Sequence, residues 1–351
     1  MIIVIIAGGQ GTRLWPLSTD RKPKHLLSLT NEKSLLRNTY ERVRKLSDKI
    51  YVIPEQSHAD QILEHLPELS KENLFIEPGR RGTASCVLLA LAKPQEKYGE
   101  NEDVAFLHAD HHITNPQLFL DAVELASVSA RKKDTISLIG LNPTYPATGF
   151  GYIKMAKKAQ GLDSAEVFEV EKFVEKPDEK TAEQYFKSGD YLWNLGLFAG
   201  PIKSFIKACR EYSPGLYSGF ESLVADIGDG KKLDKAYMNL ANEPIDTALI
   251  EKIPDLLVVP GAFGWADIGS FSDLHEVLGS KEDNVVQTGD SATSLLDCDG
   301  CLVMNTNSGK PLIGIGLRDI VVIDTPNGTL VCHKRRSQDI KKALELLRAQ
   351  G

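Results

Sequence analysis

The chain lacks the features of several large protein classes. Of its 351 residues only 5 are cysteine, an odd number that does not suit a disulfide framework. No apolar run approaches the length of a membrane span, and the opening MIIVIIA is too short for the hydrophobic region of a signal peptide. A net charge of −7 leaves no basic excess for a nucleic-acid backbone. We therefore expect a cytoplasmic protein that binds neither nucleic acid nor membranes.

Two well-known phosphate-binding patterns are also missing. A P-loop requires Gly-Lys-Ser or Gly-Lys-Thr, and neither occurs in the sequence. A dinucleotide fingerprint requires a third glycine where Leu14 stands, and Pro16 follows too soon for a clean helix start. These two classes of nucleotide-binding protein are excluded, but phosphate binding is not.

Residues 7–27, AGGQGTRLWPLSTDRKPKHLL, form a glycine-rich, basic segment that follows the apolar run Ile2–Ile6. Glycines remove side chains where a ligand must approach the backbone closely. Backbone N–H groups and nearby cations together suit a polyphosphate. On an acidic protein, such a local basic segment indicates a small anionic ligand. The residues concerned are Gly8, Gly9, Gly11, Arg13, Arg21, Lys22 and Lys24.

Short apolar runs alternate with amphipathic stretches in the first half of the chain, which predicts an α/β domain with a mostly parallel sheet. Ligands of such sheets bind at the carboxyl ends of the strands, where the glycine-rich segment and Asp110 both fall. Thr83 and Asn115 are predicted as helix N-caps. The predicted strands are Ile2–Ile6, Ile50–Ile53, Leu74–Ile76, Val104–Leu107 and Ile136–Ile139. The predicted helices are Ser34–Leu46, Ser57–Leu66, Thr83–Tyr98 and Pro116–Arg131.

The second half of the chain has a different pattern. Longer strands between residues 146 and 200 are expected to complete the sheet and form one wall of a pocket. Beyond residue 280, short strands and turn residues predict a small β-rich domain that ends in a helix at about residues 337–349. Asp299-Gly300 is predicted to close a hairpin within it. We therefore divide the chain into a large domain of residues 1–280 and a small one of residues 281–351.

The glycine-rich segment resembles the signature of the sugar-1-phosphate nucleotidyltransferases, G-G-x-G-T-R-L-x-P-L followed by P-K. Trp15 and Leu17-Ser18 are most similar to the mannose-1-phosphate guanylyltransferases. The resemblance implies a Rossmann-like nucleotidyltransferase domain with a mostly parallel mixed sheet, plus a small C-terminal β-rich domain. It continues in order through Glu77–Ala84, Ala109–His112, Thr148–Ile153, Phe173–Pro177, Trp193–Phe198 and Trp265–Gly269.

This resemblance implies that the protein transfers GMP from GTP to mannose 1-phosphate, giving GDP-mannose and pyrophosphate with Mg²⁺ as cofactor. The attacking sugar phosphate is already an anion, so the reaction needs positioning and charge neutralisation rather than a general base. Arg13 and Lys24 match the family's cations that face the triphosphate. Asp110 and Asp267 match its two metal ligands, and an aspartate at the end of a strand suits magnesium.

The same resemblance implies two sets of binding residues. Glu175 would accept hydrogen bonds from sugar hydroxyls and Lys176 would meet the sugar phosphate, although strand alternation directs these neighbours to opposite sides unless the chain bends. The nucleotide-binding set is Ala7, Gly8, Gly9, Gly11, Thr12, Arg81, Thr83 and Asp110. The sugar-phosphate set is Gly149, Gly151, Glu175, Lys176 and Asn194.

Base specificity is the point at which the sequence departs from the family. The guanine-facing segment of the family usually reads E-P-x-x-R-N-T-A, but here Gly82 replaces the amide side chain, which leaves backbone groups and Arg81 to contact the nucleotide. Two alternatives stay open: a nucleotidyltransferase for another base or sugar 1-phosphate, and a non-catalytic regulatory subunit that binds sugar nucleotides. The presence of Arg13, Lys24, Asp110 and Asp267 favours an enzyme. For the small domain, contact within a homodimer is one expected role.

Overall fold

A computed structural model describes residues 1–162, 166–279 and 285–349 of the chain. These described residues form sixteen β-strands and eleven α-helices. The strands are β1 (Ile2–Ala7), β2 (Ile50–Pro54), β3 (Asp103–His108), β4 (His112–Ile113), β5 (Ser137–Leu141), β6 (Gly151–Lys158), β7 (Phe168–Val174), β8 (Tyr191–Pro201), β9 (Leu257–Gly261), β10 (Trp265–Ala266), β11 (Val286–Thr288), β12 (Thr293–Leu296), β13 (Leu302–Asn305), β14 (Leu312–Ile315), β15 (Ile320–Thr325) and β16 (Gly328–His333). The helices are α1 (Leu35–Val43), α2 (Ala59–His65), α3 (Gly82–Tyr98), α4 (Pro116–Lys133), α5 (Glu179–Ser188), α6 (Ile202–Tyr212), α7 (Pro214–Ala225), α8 (Gly230–Met238), α9 (Ile245–Ala248), α10 (Phe271–Leu278) and α11 (Ile340–Arg348).

The chain divides into two compact units, each built from segments that are distant in sequence. Unit 1 comprises Met1–Gly8, Tyr40–Ala109 and Ile113–Gly264. Unit 2 comprises Gly9–Thr39, Asp110–His112 and Trp265–Gly351. The predicted domain boundary after residue 280 falls within residues 280–284, which lie outside the described residues, and it stays a prediction.

Unit 1 is built on a mixed eight-stranded sheet with the order β2-β1-β3-β8-β5-β9-β7-β6. Strand β1 runs parallel to β2 and β3, and β5 runs parallel to β9, whereas β8 is antiparallel to both β3 and β5. All six residues of β1 are buried, as expected of an apolar strand in the middle of a covered sheet. This confirms the predicted α/β class with a mixed sheet. The expectation that the sheet is mostly parallel is wrong, because β6, β7 and β8 pair antiparallel with their neighbours.

Two local predictions in unit 1 are wrong. Leu74–Ile76 does not form a strand; Leu74 makes a single bridge to Val52, and Pro78 has no N–H with which to extend a ladder. Thr83 is not an N-cap, because α3 already begins at Gly82 and Arg81 occupies the cap position. The cap of α4 is confirmed, since the Asn115 side chain accepts a hydrogen bond from the Leu118 N–H.

Unit 2 contains short strands that stack mainly in parallel. Strands β11, β13 and β15 pair in parallel, as do β12 and β14, and β16 returns antiparallel to β15. The predicted hairpin at Asp299-Gly300 is therefore wrong. Asp297 and Gly300 have φ values of 53° and 63°, and they turn the chain at a corner between two sheets. Gly316 and Asp319, with φ values of 67° and 53°, repeat this corner after β14.

The hydrophobic core of unit 2 contains residues from both the N-terminal and the C-terminal parts of the chain. Leu14 and Leu27 are buried in one cluster with Phe271 of α10, Val321 of β15 and Ile340 of α11. Residues 9–39 therefore fold against the C-terminal strands rather than standing as an independent loop. Across both units, no described helix is long and apolar enough to cross a membrane.

Candidate functional site

In unit 2, the loop that follows β1 closes tightly around Lys24. Gly11 has a φ of 65°, and a Cβ at this position would lie 2.5 Å from the Lys24 Cβ. Ser18 Oγ donates a hydrogen bond of 2.6 Å to the Gly11 carbonyl oxygen. A side chain at residue 11 would therefore displace either the loop or the lysine.

Lys24 is buried between the two predicted metal ligands. Its Nζ lies 2.7 Å from Asp110 Oδ2 and 2.7 Å from Asp267 Oδ1, and it also donates to the Asp267 carbonyl oxygen. Burial alone would lower the pKa of Lys24, but the two carboxylates outweigh it and the pKa is raised. Lys24 is therefore a buried cation held by carboxylates from two other segments of the chain.

Arg13 lies beside the same cluster. A Cβ built on Gly269 would be 3.1 Å from Asp267 Oδ2 and 3.3 Å from Arg13 Nη2, so both side chains approach this glycine. Arg13 Nη1 also donates to Gln338 Oε1 over 2.6 Å. Sequence reasoning missed Gln338, because it lies 325 residues away and no motif includes it.

The donor set of this cluster fits a hard divalent cation. Asp110 and Asp267 present carboxylate oxygens to one point, and their side chains remain 24% and 35% exposed. Magnesium prefers such oxygen ligands together with water and phosphate oxygens. The same two carboxylates also compensate the charge of the buried Lys24 ammonium.

In unit 1, three of the predicted sugar-phosphate residues lie together. A Cβ on Gly151 would be 2.6 Å from Glu175 Oε2 and 3.2 Å from the Asn194 Cβ, so glycine leaves the space that these side chains border. Asn194 Nδ2 donates to Asp246 Oδ1 over 2.7 Å, and its Oδ1 accepts from the Gly196 N–H over 3.1 Å. These two bonds fix the orientation of the amide.

Lys176 turns back toward its neighbour. Its φ of 44° is left-handed, which supplies the bend that strand alternation requires. Its Nζ lies 2.5 Å from Glu175 Oε1, and its side chain is 59% exposed against 15% for Glu175. At Gly149, the remaining predicted sugar residue, a Cβ would meet no described atom within 4 Å.

The predicted base-facing residues lie at the start of α3 in unit 1. Thr83 Oγ1 accepts a hydrogen bond of 2.9 Å from the Ile245 N–H, and the Ala84 N–H donates over 3.2 Å to the Glu243 carbonyl oxygen. Sequence reasoning missed this neighbouring stretch, because its helical pattern carries no binding motif. The other predicted nucleotide residues of unit 1, Ala7 and Gly8, lie at the end of β1 and just after it.

Two family models and several curated relatives match this chain. The family model described as nucleotidyl transferase matches residues 2–284, and one described as MannoseP isomerase/GMP-like beta-helix domain matches residues 293–347. A mannose-1-phosphate guanylyltransferase of Klebsiella pneumoniae is 33% identical over 99% of this chain and 74% of its own length. Another from Escherichia coli is 34% identical over 100% of this chain and 76% of its own length.

Solved structures resemble most or nearly all of the chain as well. One described as mannose-1-phosphate geranyltransferase from Thermus thermophilus has a TM-score of 0.87 at 28% identity and covers 99% of both chains. A mannose-6-phosphate isomerase structure from Helicobacter pylori, at 22% identity and a TM-score of 0.61, shares the fold over 76% of this chain and 100% of its own. The chain belongs to the nucleotidyl transferase family and, within it, to the mannose-1-phosphate guanylyltransferases.

Proposed function

We propose that this protein transfers GMP from GTP to mannose 1-phosphate, with Mg²⁺, to give GDP-mannose and pyrophosphate. The observation that carries the proposal is the buried Lys24 ammonium held by Asp110 and Asp267, each at 2.7 Å. Membership of the family supplies the reaction class, and the relatives' names supply the substrates.

The chemistry asks for charge neutralisation more than for proton transfer. An oxygen of the sugar phosphate attacks the α-phosphorus of GTP in line, the new P–O bond forms, and the bond to pyrophosphate breaks. Arg13 and Lys24 would neutralise charge that develops on the triphosphate, and backbone N–H groups of Gly8 to Thr12 would bind its oxygens.

Asp110 and Asp267 would hold the magnesium ion. When bound, the ion supplies positive charge to the phosphate oxygens and orients them. Lys24, bonded to both carboxylates, would act beside them as a cation that binds phosphate oxygens.

The sugar-phosphate residues would bind and orient the acceptor. Asn194, fixed by Asp246, and Glu175 would contact sugar hydroxyls, and Gly151 would let the sugar approach the backbone. Lys176, exposed on a left-handed turn, would meet the phosphate. Each of these roles is part of the proposal.

Three wider predictions belong to the same proposal. We assign catalysis to residues 1–280 and a packing role to residues 281–351.

A homodimer would use the exposed apolar side chains of β12 and β14. Ile313 and Ile315 of β14 are 72% and 64% exposed. Light scattering of the wild type and of Ile313→Lys tests whether the protein is a dimer through this surface. A cytoplasmic location is compatible with five unpaired cysteines.

The testing experiment measures pyrophosphate release over a matrix of nucleoside triphosphates and hexose 1-phosphates with Mg²⁺. We expect the strongest signal from GTP with mannose 1-phosphate and GDP-mannose as the chromatographic product. The Asp267→Asn variant is the control for contaminating enzymes. A stronger signal from another pair would replace the proposed substrates, and no signal from any pair would favour the regulatory subunit.

A further inference from the structure

Two segments of unit 1 are joined along their length. We call residues 77–85 the base segment and residues 237–245 the supporting segment. At one end, the Tyr237 hydroxyl donates a hydrogen bond to Glu77 Oε1, and both side chains are buried. A buried polar pair of this kind holds its partners in place, because separating them would leave unsatisfied groups.

At the other end, three hydrogen bonds attach the start of α3 to the supporting segment. The Ala84 N–H donates to the Glu243 carbonyl oxygen over 3.2 Å, and the Ile245 N–H donates to Thr83 Oγ1 over 2.9 Å. Ser85 Oγ donates to the Ala241 carbonyl oxygen over 3.1 Å. The first N–H groups of a helix have no partner within the helix, and here the supporting segment provides one.

Gly82 allows this approach. It has a φ of 74°, and a Cβ at this position would lie 2.3 Å from the Glu243 carbonyl oxygen and 2.8 Å from the Glu243 carbon and nitrogen. These are backbone atoms, which cannot move aside as the end of a flexible side chain can. The Glu243 peptide therefore fills the space that the family's usual amide side chain would enter.

We propose that the supporting segment positions the base segment and so determines which nucleotide base is preferred, with Gly82 required because it admits the Glu243 peptide. The inference rests on the proposed function, in which residues 77–84 face the base of the nucleotide. Gly82 and Glu243 are then positioning residues, which act on selectivity through the position of the segment and not on the reacting atoms. Thr83, predicted above to bind the nucleotide, also positions the segment, because its hydroxyl accepts from the Ile245 N–H.

A matched control exists at the other end of the same helix. Gly99 follows α3, has a φ of 81°, and a Cβ there would meet no described atom within 4 Å. Gly82→Ala and Gly99→Ala therefore both place a Cβ on a residue with positive φ, but only the first brings it against the other segment.

The test measures the dissociation constants of GTP, ATP, CTP and UTP by calorimetry for the wild type, Gly82→Ala, Thr83→Val and Gly99→Ala. We expect Gly82→Ala to reduce the ratio between the preferred and the next nucleotide by about tenfold or more, which corresponds to about 1.4 kcal/mol. Gly99→Ala should keep the wild-type ratio. Thr83→Val, which loses one hydrogen bond at nearly constant shape, should reduce it by about threefold, with faster amide exchange at Ile245.

Each outcome decides between the two claims. If Gly82→Ala keeps the wild-type ratio between the dissociation constants of the preferred and the next nucleotide, the inference is overturned. If the wild type still binds GTP in that case, the proposed function is unaffected. A wild type that prefers another base contradicts the guanine assignment, and loss of that preference in Gly82→Ala would still support the positioning role. If Gly82→Ala does not fold, an unchanged ratio in Thr83→Val together with faster exchange at Ile245 overturns the inference. A wild type that binds no nucleotide contradicts both.

Discussion

The two groups of predicted site residues each contain a lysine assigned to phosphate, and the two lysines are held in different ways. In unit 2, Lys24 is buried and bonded to carboxylates that come from elsewhere in the chain, one of them 243 residues away. In unit 1, Lys176 is exposed and pairs with its neighbour Glu175. One cation is part of the packing of its unit, whereas the other lies on its surface.

The difference shows what burial does to a charged group. A buried ammonium is tolerated only when its partners compensate for lost hydration, and removal of one partner leaves an uncompensated charge. An exposed pair contributes little to stability because water and salt screen it. Function and stability should therefore be linked at Lys24 and separable at Lys176.

The largest effect is expected from the carboxylates of unit 2. Asp110→Asn combined with Asp267→Asn should abolish Mg²⁺-dependent nucleotidyl transfer, because the oxygens proposed to bind the ion lose their charge. Pyrophosphate release with a magnesium titration measures this. Retained activity with an unchanged magnesium dependence would refute the assignment of Asp110 and Asp267 as metal ligands. The carboxylates around Lys24 would then have no part in the proposed function.

A smaller loss is expected from the arginine beside them. Arg13→Ala should lower kcat by about 10²–10³-fold, the usual cost of one donor that stabilises the transition state. Gln338→Ala is the matched control, since it removes the 2.6 Å partner of Arg13 and leaves the guanidinium in place. Near-normal turnover of Arg13→Ala would exclude this residue from the mechanism.

Stability separates the two lysines directly. Lys24→Met should lower the free energy of unfolding by about 3 kcal/mol, because Asp110 and Asp267 would face each other without their cation. Lys176→Met should change it by less than about 0.5 kcal/mol. Urea unfolding of both variants measures the difference, and equal values would show that burial does not distinguish the two sites.

Unit 1 also contains a buried ionisable group, the Glu77 carboxyl, and its titration should change the stability of the protein with pH. Burial raises the pKa of Glu77 to about 7; Tyr237 and Arg80 oppose this rise, and Glu55 adds to it. The folded state thus binds a proton that the unfolded state releases near its ordinary pKa of about 4.5, so stability falls as pH rises from there to about 7.

Glu77→Gln removes this penalty and keeps an oxygen that can accept from Tyr237. At pH 8 the variant should be more stable than the wild type by up to about 3 kcal/mol, and the advantage should shrink toward pH 5. Chemical unfolding at both pH values tests the sign. An advantage that is the same at both would mean that Glu77 does not titrate as described.

Features with a local cause were predictable from the sequence. The buried strand β1 follows from its continuous apolar run, and the start of α4 follows from Asn115 and Pro116. The glycine-rich segment led to Arg13 and Lys24, and the resemblance added Asp110 and Asp267. The sequence did not indicate that Asp110 and Asp267 would both form ion pairs with Lys24.

Features that depend on distant partners were not predictable. The turn residues Asp299-Gly300 suit a hairpin locally, but the partners of β13 are β11 and β15, so the same residues form a corner. Thr83 is a good N-cap by residue type, yet its hydroxyl is used by Ile245. The packing of residues 9–39 against the C-terminal strands likewise depends on a core that no local pattern specifies.

The measurement that tests the central claim most directly is the formation of GDP-mannose from GTP and mannose 1-phosphate, with and without Mg²⁺, by the wild type and by Asp267→Asn. We predict product and equimolar pyrophosphate only from the wild type with magnesium. Equal product from Asp267→Asn, or product from the wild type in the presence of a chelator, would contradict the assignment of this reaction to the Lys24, Asp110 and Asp267 cluster.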